Sequence, residues 1–137
     1  MTRTLTLVDA AMAAAVDTLE AVTGQGSETA PGREVPSGMT RIDKLIVAIS
    51  SDGAVDGGST VILRIGGTAV QGGPVAIIVG GIGGEQTASA DQVANHHVAI
   101  FENVDIPVKA GNVVTVNQEY GGVDSGSPAL GVTLYFA

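Results

Sequence analysis

The two histidines of the chain, His96 and His97, are adjacent, and no cysteine accompanies them. They are the candidates for a general base or a transition-metal ligand. Successive residues of a strand point to opposite faces, so the pair cannot chelate one ion within one chain. One of them, set in a sheet interior or at a subunit boundary, would titrate near neutral pH and serve as a modest assembly sensor. The metal candidates are Asp52 and Asp56, four residues apart in the turn-like stretch Asp52-Gly53-Ala54-Val55-Asp56-Gly57. Calcium takes about six to eight converging oxygens, and two carboxylates leave most of that shell unfilled. Asp and Gly are also the ordinary residues of a loop joining strands. The stretch Asp124-Ser125-Gly126-Ser127-Pro128 reads the same way.

Gly80-Gly81-Ile82-Gly83-Gly84 invites a phosphate-loop reading and fails it. No Gly-Lys-Ser/Thr follows, Gln86 stands where a dinucleotide fingerprint has its third glycine, and no helical pattern comes after to supply a dipole. The serines fall in loop-like stretches with no base beside them, so no nucleophile–base pair is legible. Neither an enzyme nor a cofactor is expected. Tyr120 and Tyr135 are the only residues that could stack on a sugar. Tyr135 alternates outward from Val132, Leu134 and Phe136, which suits edge packing or an interface anchor better. The candidate interface residues are Leu5, Leu7, Val8, Tyr120 and Tyr135.

Charge narrows the partners. Six Lys and Arg stand against fourteen Asp and Glu, a net charge of −8, and the basic residues are scattered from Arg3 to Lys109. That leaves no electrostatic footprint for nucleic acid or anionic lipid. Asp9, Asp17 and Glu20 interrupt the apolar stretch from Met1 to Val22, so it reads as mature protein rather than a secretory signal. No run approaches the roughly 20 apolar residues that span a bilayer. Charged residues make up 15% of the chain and apolar ones 45%, which argues for a folded body with a largely neutral surface.

The elements that must position these residues follow from period-two patterning. Arg41 to Ser50 carries Leu45, Val47 and Ile49 on one side and Lys44, Ile46 and Ala48 on the other. Thr60 to Gly66 points Val61, Leu63 and Ile65 inward and Arg64 outward. Pro74 to Gly80, Val93 to Phe101, Ile106 to Lys109, Asn112 to Glu119 and Gly131 to Ala137 read as further strands. Ala110-Gly111 breaks the third from the fourth of these. Twelve of the 20 glycines form six adjacent pairs, nearly all at strand ends, where φ > 0 is needed for reversals. Bare backbone at such corners would also let neighbouring subunits approach closely. Asp9 could cap a helix from Ala10 to Val22 ended by Gly24. An extended reading of Thr4 to Val8, and of Val16 to Thr23, stays open beside it.

Seven or eight strands at short spacing, with no helical pattern after residue 24, predict an all-β antiparallel β-sandwich of jelly-roll type. Absence of a cysteine pair and of tryptophan speaks against an immunoglobulin domain. The Gly/Pro-rich stretch 24–38 lacks periodicity and reads as a connector. The expected organisation is an N-terminal arm and connector, 1–34, and a β-sandwich domain, 35–137, that folds without the arm.

Val35-Pro36-Ser37-Gly38-Met39-Thr40-Arg41-Ile42 leads into a strand. Ile106-Pro107-Val108-Lys109-Ala110-Gly111-Asn112-Val113-Val114-Thr115-Val116 follows later, and the chain closes on Gly131-Val132-Thr133-Leu134-Tyr135-Phe136. Together these resemble the small single jelly-roll proteins of icosahedral virus shells, capsid or cement proteins, over roughly residues 35 to 137. The resemblance implies a virion protein made in the host cytoplasm. Its partners would be copies of itself and other shell proteins, with an arm that reaches over a neighbour. A neutral, small-residue surface would serve such contacts, since a buried unpaired charge costs several kcal/mol. It would equally serve a filament in which Thr4 to Val8 completes a neighbour's sheet, or a monomeric binding module.

Overall fold

A computed structural model of the chain describes residues 3–9, 16–18, 20–21, 32–51, 61–79, 95–120 and 129–137. These form strands β1 (Arg3–Asp9), β2 (Val16–Thr18), β3 (Glu20–Ala21), β4 (Arg33–Glu34), β5 (Arg41–Ser51), β6 (Val61–Gly66), β7 (Val75–Val79), β8 (Asn95–Pro107), β9 (Val113–Tyr120) and β10 (Ala129–Phe136). All the named pairings are antiparallel. One sheet runs β3-β1-β10-β5-β8 and the other β2-β9-β6-β7, with β4 also on β9. The chain is an all-β antiparallel sandwich.

Alternation builds its interior. Leu45, Val47 and Ile49 of β5, Val132, Leu134 and Phe136 of β10 and Leu7 of β1 meet Val61, Leu63 and Ile65 of β6 and Val114 and Val116 of β9 in one buried cluster. Each strand hides every second residue because a pleated strand sends successive side chains to opposite faces. The inward and outward assignments expected for β5, β6 and β10 hold residue by residue.

The connections β1 to β2, β9 to β10, β5 to β6 and β7 to β8 each join strands at the same place in the two sheet orders. The sheets therefore stack with β1 over β2 at one flank and β8 over β7 at the other. Backbone contacts tie the second flank together. The turn after β6 bridges Val70 to Val108, Lys109 donates to the Ala69 carbonyl at 2.9 Å, and Ala69 donates to the Val113 carbonyl at 2.9 Å. Gly67 makes this turn possible. Its φ is +88°, and a Cβ there would collide with the Val113 carbonyl oxygen.

The N-terminal segment differs from the expected arm. β1 pairs along its whole length with β10, from Arg3↔Phe136 to Asp9↔Leu130, and Leu7 is fully buried in the chain's own core. The boundary expected near residue 34 therefore does not separate an appendage from the sandwich. The helix from Ala10 to Val22 is corrected at 16–18 and 20–21, which are strand because β9 and β1 offer them open edges. Residues 10–15, 19 and 22 lie outside the described residues.

A second difference concerns β8. A strand separate from the one ending at Phe101 was expected over Ile106 to Lys109. Instead β8 continues to Pro107 through a bulge, where three residues, 103–105, stand between the pairs Lys44↔Glu102 and Ile42↔Ile106 while Asp43 stands alone across from them. Asn103 (φ 56°) and Asp105 (φ 48°) take left-handed conformations there. Asn and Asp enter that region more readily than other side chains.

Candidate functional site

Cross-strand registers turn the sheet of β1, β10, β5 and β8 into rows on its outer face. Residues directly opposite one another in an antiparallel pair share a face. The first row is Val8, Gly131, Ala48 and Val98; the second is Thr6, Thr133, Ile46 and Ile100; the third is Thr4, Tyr135, Lys44 and Glu102. The first two rows contain no charge. At the β8 edge Val98 is 61% exposed and Ile100 58% exposed, beside the exposed Ala48 and the half-buried Ile46.

Charge is confined to the third row. Lys44 Nζ lies 3.7 Å from Glu102 Oε1 and 5.2 Å from the centre of the Tyr135 ring. Tyr135 is thereby held by its own neighbour on the outer face. In the second row the Thr6 and Thr133 hydroxyls are 3.1 Å apart, which satisfies them within the chain.

The opposite sheet shows a different outer face. Ile78, Ile62 and Glu119 form one row, and Ala76, Arg64 and Asn117 the next. The Arg64 guanidinium pairs with Glu119 across these rows. Ile78, at the β7 edge, is 68% exposed.

The strand edges differ as well. Among the described residues β9 is covered on its far side over most of its length, by β2 at 117–119 and by β4 at 113–114. β3 covers part of β1, at Leu7 and Val8. On the other flank β8 pairs with β5 alone and β7 with β6 alone among the described residues. An edge strand presents unpaired N–H and C=O groups to any passing strand. The flank formed by β7 and β8 thus combines two open edges with the three most exposed large aliphatic side chains among the described residues.

The expected site residues distribute unevenly over this geometry. Leu7 is in the core, and Leu5 packs against it; both face inward by strand parity, which corrects their assignment as interface residues. Val8 and Tyr135 stand on the outer face. Tyr120 pairs with Val61 through the backbone, and its side chain lies outside the described residues. His96 and His97 occupy β8 positions opposite Ser50 and Ile49; their side chains too lie outside the described residues. So do Asp52, Asp56, the glycine stretch 80–84 and the stretch 124–128. Among the described residues no group of three or more His, Cys, Asp or Glu could hold a metal ion, and no helix is long and apolar enough to cross a membrane.

Sequence reading missed Ile46, Val98 and Ile100 as contact candidates. Their signal was present: large aliphatics on the side of a strand opposite its core-facing set. Locating them together needs the β5–β8 register, which is non-local. Comparison with protein-family models and with curated proteins finds no match for the chain.

Proposed function

We propose that this protein is a structural subunit of a symmetric assembly, a virus shell in which it serves as capsid or cement protein, acting by self-assembly without catalysis. The observation that carries the reading is the β7–β8 flank, where among the described residues both edge strands lack a second partner and expose large aliphatics on the two outer faces, Val98 and Ile100 on one and Ile78 on the other. A monomer that spends its life alone blunts such edges with charge, proline or a covering segment. Strand order supports the jelly-roll type. Counting the eight strands β1, β2, β5, β6, β7, β8, β9 and β10 as 1 to 8, the sheets read 1-8-3-6 and 2-7-4-5. That wrapped arrangement of two Greek keys is one that shell proteins use, as do lectins and cupins.

The partners are copies of this chain and other shell proteins, in a virion assembled in the host cytoplasm. Direct nucleic-acid binding and membrane insertion form no part of the reading, because the chain carries a net charge of −8 with its basic residues scattered. A filament joined by strand donation is less favoured. Thr4 to Val8 already pair with β10 of their own chain, and donation would have to undo that pairing.

Negative-stain imaging and sedimentation of the purified protein test the proposal. Closed particles or defined oligomers are expected. A monomer at high concentration would overturn it, and open fibres with a regular repeat would favour strand donation.

A further inference from the structure

The assembly reading leaves open which surfaces meet, and the β8 edge is specific enough to name one contact. Resting on that reading, we infer that two copies of this chain join through antiparallel pairing of β8 with β8 about a two-fold axis at Ala99, making one continuous sheet across the pair.

Three observations lead there. First, among the described residues β8 is guarded in one half only. Residues 103–107 carry a bulge with two left-handed residues, Asp105 and a proline, devices that keep another strand from pairing. The stretch Asn95-His96-His97-Val98-Ala99-Ile100-Phe101 has no bulge, no proline and no acidic or lysine side chain. Its β5 partners run in unbroken register from Ser51↔Asn95 to Lys44↔Glu102, so its far edge is straight.

Second, parity restricts the register. Val98, Ile100 and Glu102 share the outer face with Ala48, Ile46 and Lys44, whereas Ala99 and Phe101 lie opposite the core residues Val47 and Leu45. For the outer faces of the two copies to be continuous, outward positions must oppose outward positions. A two-fold pairing must then be centred on a residue, not between residues.

Third, chemistry selects among the residue-centred registers. Centring on Ala99 sets Val98 opposite Ile100 of the second copy, and position 96, a histidine, opposite Glu102. Apolar meets apolar on both sides of the axis. Centring on Ile100 would instead oppose Val98 to Glu102 and drive the second strand into the bulge at 103–105. Centring on Val98 would oppose Ile100 to position 96 rather than to an aliphatic residue. The Ala99 register alone sets both exposed aliphatics of one copy against those of the other and keeps their pairing clear of the bulge at 103–105. It also joins the two uncharged outer rows of one copy to those of the other, extending a neutral surface over both.

The absence of cysteine makes the test direct, because an introduced thiol has no competitor. In antiparallel pairs opposite Cα atoms lie about 4.5–5.5 Å apart, within disulfide range. Ala99→Cys should give a covalent dimer on mild oxidation. As a second measurement that does not depend on an inward-facing position, Val98→Cys mixed with Ile100→Cys should cross-link between the two variants. Each of these alone should cross-link several-fold less. Particles or oligomers that form with no cross-link in either arrangement would overturn this contact and leave the shell reading standing. Efficient cross-links in a protein that never exceeds a dimer would support the contact and overturn the shell. A monomer that resists all cross-linking would overturn both.

Discussion

The two flanks of the sandwich are built from similar strands and finished differently. On one, short segments from the first 34 residues lie against β9 and β1. On the other, β7 and β8 end their sheets with aliphatic side chains exposed. Nothing in the covalent chemistry of a strand demands this difference, since either kind of edge has the same unpaired amides and carbonyls. The contrast teaches that the N-terminal segment pairs with its own chain, and that among the described residues the uncovered edges are on the far side. An arm that reached outward would have the reverse consequence.

The strongest way to break the comparison is to delete residues 1–34. Removing β1 exposes the whole inner edge of β10, takes Leu7 from the core, and strips the covers from β9. Typical domains hold only about 5–15 kcal/mol of net stability, and losing a full-length strand with its core leucine should consume most of it. The truncated protein should lose its cooperative thermal transition. A truncated body that melts like the full chain would show that the covered flank is an accessory after all.

Next in size is a change confined to the open flank. Val98→Lys together with Ile100→Lys puts four ammonium groups around the proposed two-fold axis, and like charges brought together cost several kcal/mol. Association should weaken by roughly a hundredfold or more, about 1.4 kcal/mol per tenfold. The thermal midpoint of the monomer should stay within a few degrees, because both positions are exposed. Ile78→Lys on β7 is the matched control and should weaken association less. Equal effects at both edges would blur the distinction between them.

Gly67→Ala sharpens how the flank is held together. The substitution combines a φ of +88° with a collision against the Val113 carbonyl, and should destabilise by about 2–3 kcal/mol. Chemical denaturation would read this as a lower midpoint with unchanged slope.

How much of this was legible in the sequence depended on whether neighbours in the chain or distant strands decide the matter. Leu45, Val47 and Ile49 alternate with Lys44, Ile46 and Ala48, and that local pattern placed β5 and its core face. The same holds for β6 and β10. Val16 to Ala21 could not be placed so, because its Ala-rich surroundings favour helix locally, and only the free edges of β9 and β1 make strand the better solution. The continuation of β8 past Glu102 was hidden for a similar reason. Asn103 and Asp105 look like loop residues, and they become a bulge only because β5 resumes pairing at Ile42↔Ile106. Of the candidate contact residues, Tyr135 was placed on the outer face by its alternation with Val132, Leu134 and Phe136, whereas Val8 was named only as part of the strand Thr4 to Val8. Leu5 and Leu7 were misplaced because a strand thought to leave the body has no inward side. Val98 and Ile100 became visible only once β8 was aligned on β5.

The smallest expected effect probes the outer face of the sheet containing β6. Arg64→Ala removes the exposed pair with Glu119, and partly exposed pairs contribute below about 1 kcal/mol. Stability and association should both change little, in contrast to the charges introduced at Val98 and Ile100.

The central claim is that the chain associates through its open flank, and sedimentation velocity of the full-length protein beside the Val98→Lys/Ile100→Lys variant tests it most directly. The unmodified chain should sediment as oligomers or particles and the variant as a folded monomer or a much smaller species. Identical sedimentation of the two, at any oligomeric state, would contradict it.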